Sequence, residues 1–403
     1  MKYSFVIPTY NNKDLLNNTL EALNHQLDFE YGAYEAVVVD DGSDDGSREY
    51  VRDTPRTYEL QYIYLERTDD SCRARVRNEG WRRARGKYVV FLDSDMIVAR
   101  DYLRELNRYF DRDEDLLVIS YRYLLHDPVS IEDVRSGKAF EAPYRSLEYM
   151  EARHFDAQQH SFNMSALRFP WHAVYSCNLA LSKAKLEEVG GFEERYKGWG
   201  MEDTDFGYRC YKRGIQIVSH LGTGALHQYH GEKFGDARSM KKMLEWDRNI
   251  TLMYRIHPSL KRELPRWRIN VAYFIQGVPR MLMRKERGRI EHRLTLRRRE
   301  ELPALKAQIA ALSAEPGNLI VVADETDSAE FHLWIQLLGF TKSEIRYFPR
   351  TFTFDRKEVC RYFGEVFTWE KKLVIIYRCC MLLANKLVRA VSRLVSPAAR
   401  NER

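Results

Sequence analysis

The sequence predicts an α/β fold built on a mostly parallel sheet with helices on both faces. Three observations carry this. Through the first ninety-five residues, continuous apolar runs alternate with segments of helical spacing, and strands covered on both faces read as unbroken apolar runs. Two of those runs stop at acids, Asp40-Asp41 and Asp93-x-Asp95, and in such sheets ligands gather beyond the carboxyl ends of the strands. Finally, the 403 residues divide by charge: residues 1–245 are net −7 and residues 246–403 net +13.

The elements follow in order. Tyr3–Pro8 is a short apolar strand ending in a turn, and Leu15–Gln26 has helical spacing through Leu15, Leu16, Leu20 and Leu23. Glu35–Val39 is a β-branched run that stops at Asp40-Asp41-Gly42-Ser43. Ser47–Arg52 opens a helix, Gln61–Leu65 is a strand, and Arg73–Arg85 is an Arg-rich helix closed by Gly86. Tyr88–Leu92 is an apolar strand ending in Asp93-Ser94-Asp95. Residues 100–170 read as mixed helix and loop. Ala173–Leu181 is the next expected strand; Asp205–Lys212 is a helix closed by Gly214, Ile215–Val218 a strand, and His227–Gly231 a loop.

Beyond Lys241 the character shifts. Arg266–Arg299 is strongly basic and expected to be helical, with breaks at Gly277-Val278-Pro279 and Gly288. Asn318–Ala323, Ala329–Leu338 and Glu344–Phe348 form a small strand–helix–strand unit. Lys371–Val395 reads as an amphipathic helix with Arg378, Lys386, Arg389 and Arg393 near one face. The expected organisation is therefore a catalytic α/β domain over 1–245, a basic helical segment over 246–312, the small unit over 313–370 and the C-terminal helix over 371–403.

Composition excludes several classes. A hydrophobic fraction of 44% argues against disorder. Cys72, Cys177, Cys210, Cys360, Cys379 and Cys380 make no C-x-x-C pair, which fits a reducing compartment better than a disulfide framework or zinc site. No run of about 20 apolar residues offers a membrane-spanning helix, so the expected location is the cytoplasm, peripheral on the inner face of a membrane. An anionic membrane surface is the expected partner of the C-terminal helix, with docking onto the chain's own domain or a dimer partner as the alternative. No motif for nucleic acid accompanies the charge. The oligomeric state stays open.

The strand-end acids carry the chemistry. Alternate residues of a strand point the same way, so Asp93 and Asp95 can converge on a hard divalent cation, Mg²⁺ or Mn²⁺, that bridges to a diphosphate. Asp40-Asp41-Gly42 can accept a base N–H; the plain alternative is an Asp-Gly turn. His227 and His230 are candidate nitrogen ligands, and the plain reading of Asp203, an N-cap or first-turn acid of its helix, is compatible with a chemical role.

Taken together, Pro8-Thr9-Tyr10-Asn11, Val38-Val39-Asp40-Asp41-Gly42-Ser43, Arg77-Asn78-x-Gly80 and Phe91-Leu92-Asp93-Ser94-Asp95 resemble the family 2 inverting glycosyltransferases of GT-A fold. Gly190-Gly191-Phe192 and Trp199-Gly200-Met201-Glu202-Asp203-x-Asp205-Phe206-Gly207-Tyr208-Arg209 are similar to the acceptor motif of β1,4-galactosyltransferases and bacterial chondroitin polymerases. This resemblance implies that Asp41 binds the uracil of a UDP-sugar, with Asp40 nearby and Pro8, Thr9 and Tyr10 lining the nucleoside pocket. Arg77 and Ser94 would lie near the donor, Asp93 would face the ribose or metal, and Asp95 would ligate the metal. His227, rather than His230, would complete the metal shell. Asp203 would be the general base, with Glu202 and Trp199 shaping the acceptor pocket. Met201 departs from the glycine usual in the relatives, which touches the acceptor's identity and not the base. The acceptor could be a glycan, a glycolipid or a peptide. A catalytically silent nucleotide-sugar-binding partner and a retaining transferase are the competing readings.

Overall fold

The computed structural model describes residues 1–141, 146–151, 153–154, 163–164, 169–231, 237–264, 290–338 and 344–350. Its strands are β1 (Tyr3–Thr9), β2 (Tyr34–Asp40), β3 (Glu59–Tyr64), β4 (Tyr88–Leu92), β5 (Met96–Val98), β6 (Leu116–Leu124), β7 (Asn178–Ser182), β8 (Gln216–His227), β9 (Ile290–Leu296), β10 (Asn318–Asp324) and β11 (Glu344–Pro349). The helices are α1 (Lys13–Leu23), α2 (Ser47–Asp53), α3 (Arg73–Arg83), α4 (Tyr102–Phe110), α5 (Ile131–Ser136), α6 (Lys183–Val189), α7 (Glu202–Lys212), α8 (Ala237–Ile256), α9 (Leu260–Glu263), α10 (Leu302–Ala314) and α11 (Ala329–Leu337).

Eight strands form one sheet in the order β3-β2-β1-β4-β7-β6-β8-β5. The β3-β2-β1-β4 half is wholly parallel. β7 then runs antiparallel to both β4 and β6, β6 and β8 pair in parallel, and β5 is antiparallel to β8. The α/β expectation holds, with the mixed half supplied by strands beyond residue 95. Successive residues of β1 serve opposite faces: Phe5 and Ile7 join one apolar core, and Val6 joins the other with Trp81, Phe91, Trp171 and Phe206. Gly80 lets α3 lie close on β1, since a Cβ there would come within 2.4 Å of Val6 Cγ1.

Four expectations are corrected. β6 crosses the stretch expected to be helix and loop. Its apolar run is broken by Arg122, whose charge meets the carboxylate of Glu151 at 3.0 Å, a partner that local pattern does not show. The strand expected over Ala173–Leu181 begins at Asn178, because Pro170–Ala173 forms a 3-10 turn. β8 extends nine residues past Val218, so His227 ends a strand instead of lying in a loop. The last part of the basic stretch is strand β9: the less exposed His292, Leu294 and Leu296 alternate with Glu291, Arg293 and Thr295, a period of two.

The small strand–helix–strand unit is present and larger than expected, a parallel sheet in the order β11-β10-β9. It docks through α11. The Gln336 amide donates to the Ser219 carbonyl (2.9 Å) and accepts from the Ser219 N–H (2.8 Å). Leu296, Ile320 and Phe331 share one core with Tyr109 and Val218. α8 runs through residue 245, where the charge changes sign. The expected C-terminal helix and residues 265–289 of the basic stretch lie outside the described residues.

Candidate active site

The carboxyl ends of β1, β2 and β4 lie side by side, because β1 pairs with both neighbours. This brings Thr9, Asp40-Asp41 and Asp93-Ser94-Asp95 to one edge. Asp40 is fully buried and committed to the turn, accepting from the Ser43 N–H at 2.8 Å and from the Tyr62 hydroxyl. Asp41 faces the other way. Its Oδ2 accepts from Arg67 at 2.7 Å, while its buried Oδ1 has no partner. The buried Thr9 hydroxyl is likewise unpartnered. Buried polar atoms left unpaired are costly, and two of them lie here on adjacent strand ends. Tyr10 is exposed with its ring centroid 3.8 Å from the Arg67 guanidinium, whereas Pro8 is half-buried. Ser94 is buried and braces the turn, accepting from Asn12 and, through its carbonyl, from Thr19.

The Asp93 and Asp95 carboxylates do different things. Asp93 Oδ1 accepts from Arg77 at 2.9 Å. Burial works to raise its pKa, but the Arg77 guanidinium holds it below the ordinary carboxylate value. Asp95 turns towards β8, with Oδ2 3.4 Å from His227 Nε2 and a buried Oδ1 that lacks a partner. Burial raises Asp95, and burial also lowers His227, favouring the neutral imidazole. Ligand atoms of Asp95, His227 and His230 all lie within 4.8 Å of one another. One carboxylate and two imidazoles suit Mn²⁺ or a similar borderline cation, and the orphaned Asp95 oxygen is a ligand lacking its partner. The donor set fits a metal. Asp93 is not in this group, and both His227 and His230 are. The antiparallel pairing of β5 and β8 produces the group by setting His227 opposite Met96.

Arg77 links these strand ends to α7, which starts with Glu202 and Asp203. Asp203 is half-buried, and its Oδ1 accepts from the Ser176 hydroxyl at 2.7 Å. Glu202 is buried, and burial together with the Asp203 charge pushes it up to about 7. Arg77, only 3% exposed, lies between the two sides, with Nη2 on Asp93 and Nη1 3.6 Å from Glu202. Burial disfavours its charge, but Asp93, Asp203 and Glu202 keep it cationic. Trp199 is partly exposed on the preceding loop. That loop is held from α8: Asn249 donates to the carbonyls of Lys197, Trp199 and Gly200 at 3.1, 3.3 and 2.8 Å, and Glu245 accepts from the Trp199 N–H at 2.9 Å.

Sequence reasoning missed Arg67, Ser176, Asn249 and Glu245. Arg67 follows a strand end as the named acids do, which was a usable signal; the other three have none. Met201 sits at φ +80°, a conformation that suits glycine and strains methionine. It is buried in the core with Trp171 and Trp246.

Residues 4–187 match the family model described as glycosyl transferase family 2, and residues 156–231 match that described as the N-terminal domain of galactosyltransferase. The chain is 30% identical over 270 residues to validoxylamine A glucosyltransferase of Streptomyces hygroscopicus subsp. jinggangensis, covering 65% of this chain and 62% of that one. It is 31% identical over 238 residues to chondroitin synthase of Escherichia coli, covering 56% and 34% respectively. S. aureus TarS 1-349, crystallised with UDP-GlcNAc, aligns with a TM-score of 0.46 and 17% identity over 78% of this chain and 80% of that one. The chain thus spans less than two thirds of either enzyme named from sequence. Over residues 4–187, the chain is thus similar to the family 2 glycosyltransferases, and over residues 156–231 to the N-terminal domain of galactosyltransferase.

Proposed function

We propose that this protein is an inverting, metal-dependent glycosyltransferase that moves a sugar from a UDP-sugar to an acceptor hydroxyl. The observation that carries the reading is that Arg77 joins two sets of acids, with Nη2 2.9 Å from Asp93 and Nη1 3.6 Å from Glu202. Unpaired Asp41 and Asp95 oxygens mark a donor and metal side, and Asp203, tied to Ser176, marks an acceptor side.

The base would lie against Asp41, with the ribose near Thr9 and Asp93. Asp95, His227 and His230 would hold a divalent cation, which when bound supplies charge neutralisation to the leaving diphosphate. Asp203 takes the proton of the acceptor hydroxyl as its oxygen bonds to the anomeric carbon and the bond to the diphosphate breaks. Attack opposite the leaving group inverts the centre. The Ser176 hydroxyl fixes which Asp203 oxygen is free for the proton. Arg77 keeps Asp93 and Glu202 from repelling each other across the cleft. The acceptor is a saccharide or another hydroxyl-bearing group able to lie against Trp199.

UDP release from a panel of UDP-sugars and saccharide acceptors, with and without Mn²⁺, tests this. Asp203→Asn is expected to lower the transfer rate by about 10²–10⁴ while UDP binding is unchanged. A variant that transfers at the wild-type rate would remove Asp203 as the base, and retained anomeric configuration in the product would remove inversion.

A further inference from the structure

The residue between the two candidate ligand histidines of the β8 end is held quite differently from either. Gln228 is 1% exposed, while His227 beside it is half-buried and His230 is exposed. Its side-chain amide is engaged by α1. Nε2 donates to the Leu15 carbonyl at 2.9 Å and to the Thr19 hydroxyl at 3.4 Å, and Oε1 accepts from Asn18 Nδ2 at 2.8 Å. The Gln228 backbone N–H donates to the Asp95 carbonyl at 2.9 Å. Thr19 in turn donates its hydroxyl to the Ser94 carbonyl at 2.8 Å. One helix therefore grips both chain segments that carry Asp95, His227 and His230, and Gln228 joins those segments to each other. Asn18-Thr19 is a poor pair for a helix interior, because such side chains compete for backbone groups. Its contacts here supply the reason for it.

We propose that Gln228 is a positioning residue for the metal, a clamp that sets His227 and His230 in place beside Asp95. The inference rests on the reading of those three residues as the metal's holders, and it adds what fixes their spacing. The His227 carbonyl is held by the Leu125 N–H at 3.0 Å. Past that point Tyr229 is partly buried and His230 exposed, so the buried Gln228 anchors the arm. A buried amide left without partners is costly, so Gln228 has one satisfied position, and the backbone leading to His230 follows it. Ligand atoms already within 4.8 Å of one another then need little ordering when a cation binds. Groups that orient metal ligands from behind set the affinity in this way.

The test titrates Mn²⁺ into the full-length protein and follows the free ion by electron paramagnetic resonance. It compares wild type, Gln228→Leu, Asn18→Ala and Asp95→Ala, with urea midpoints measured alongside. Leucine keeps most of the volume and removes both functions of the amide; alanine at 18 removes only the donor to Oε1. The expected result is Mn²⁺ binding about 10–100-fold weaker in Gln228→Leu, with a smaller loss in Asn18→Ala, which leaves the bonds to Leu15 and Thr19. A merely structural residue would lower the urea midpoint and leave the Mn²⁺ affinity of the folded protein unchanged. Wild-type affinity in folded Gln228→Leu therefore overturns the clamp. Should that variant not fold, wild-type affinity in Asn18→Ala overturns it instead. Wild type that binds Mn²⁺, with binding lost in Asp95→Ala, keeps the metal reading whatever the clamp variants do. Wild type that binds no Mn²⁺, or Asp95→Ala that binds it equally well, overturns both.

Discussion

Glu202 and Asp203 are consecutive acids on one helical turn, yet their surroundings separate them. Asp203 has the Ser176 hydroxyl and access to the cleft, whereas Glu202 is buried, with Arg77, Arg73 and Asp203 as its charged neighbours. Burial and the Asp203 charge raise Glu202 from 4.5 to about 7. A carboxyl raised in the folded state binds more protons there than in the unfolded chain, so stability falls as pH rises through that window. Glu202→Gln is expected to lose this component. Urea midpoints of wild type and variant should diverge between about pH 4.5 and 7, with the wild type losing ground as pH rises. Parallel pH profiles would show that Glu202 is not destabilised by its charge. The residue types at 202 and 203 were legible in the sequence; their unequal roles were not, because Ser176 and Arg77 come from other elements.

At the scale of elements, α7 is aimed by its neighbours as much as by its own turn. The loop before it passes through Met201 at φ +80°, an arrangement that costs on the order of 1–3 kcal/mol and persists only where the surroundings over-determine it. α8 supplies that determination through Asn249, which is 1% exposed and donates to three loop carbonyls. Asn249→Ala should therefore cost about 1–3 kcal/mol of stability and lower the transfer rate while UDP affinity stays at the wild-type value. An unchanged denaturation midpoint would show that the loop is held by other means. Nothing in the local pattern of α8 marks it as the brace of this loop, since the contact spans about fifty residues of chain. The strand-end acids were legible for the opposite reason: parallel β2 and β4 carry them on their own carboxyl ends.

For the whole molecule, the small β11-β10-β9 sheet and the large sheet share one apolar core. Gln336 seals the junction, 1% exposed, with its amide satisfied by both backbone groups of Ser219. Gln336→Ala should strand those groups and cost about 1–3 kcal/mol, read as a single shifted transition in chemical denaturation. Two separated transitions would mean that the small sheet unfolds independently. The charge boundary near residue 245 falls inside α8, so the change of sign is not a hinge between folded bodies at that point. Among the described residues, no helix is long and apolar enough to cross a membrane.

The sequence by itself determined the parallel half of the sheet, the acids at its carboxyl edge and the Glu202-Asp203 turn. Each is written in contiguous residues, as unbroken apolar runs, Asp-Gly punctuation and short motifs. Only the tertiary structure decided that Asp40 serves the turn while Asp41 pairs with Arg67 and keeps an unpartnered oxygen, that His230 joins His227 beside Asp95, and that Arg67 lies on Tyr10. It also decided that β6 and β9 are strands. Those outcomes depend on contacts between residues far apart in the chain, where the burial of one charge is settled by a partner that no local pattern reveals.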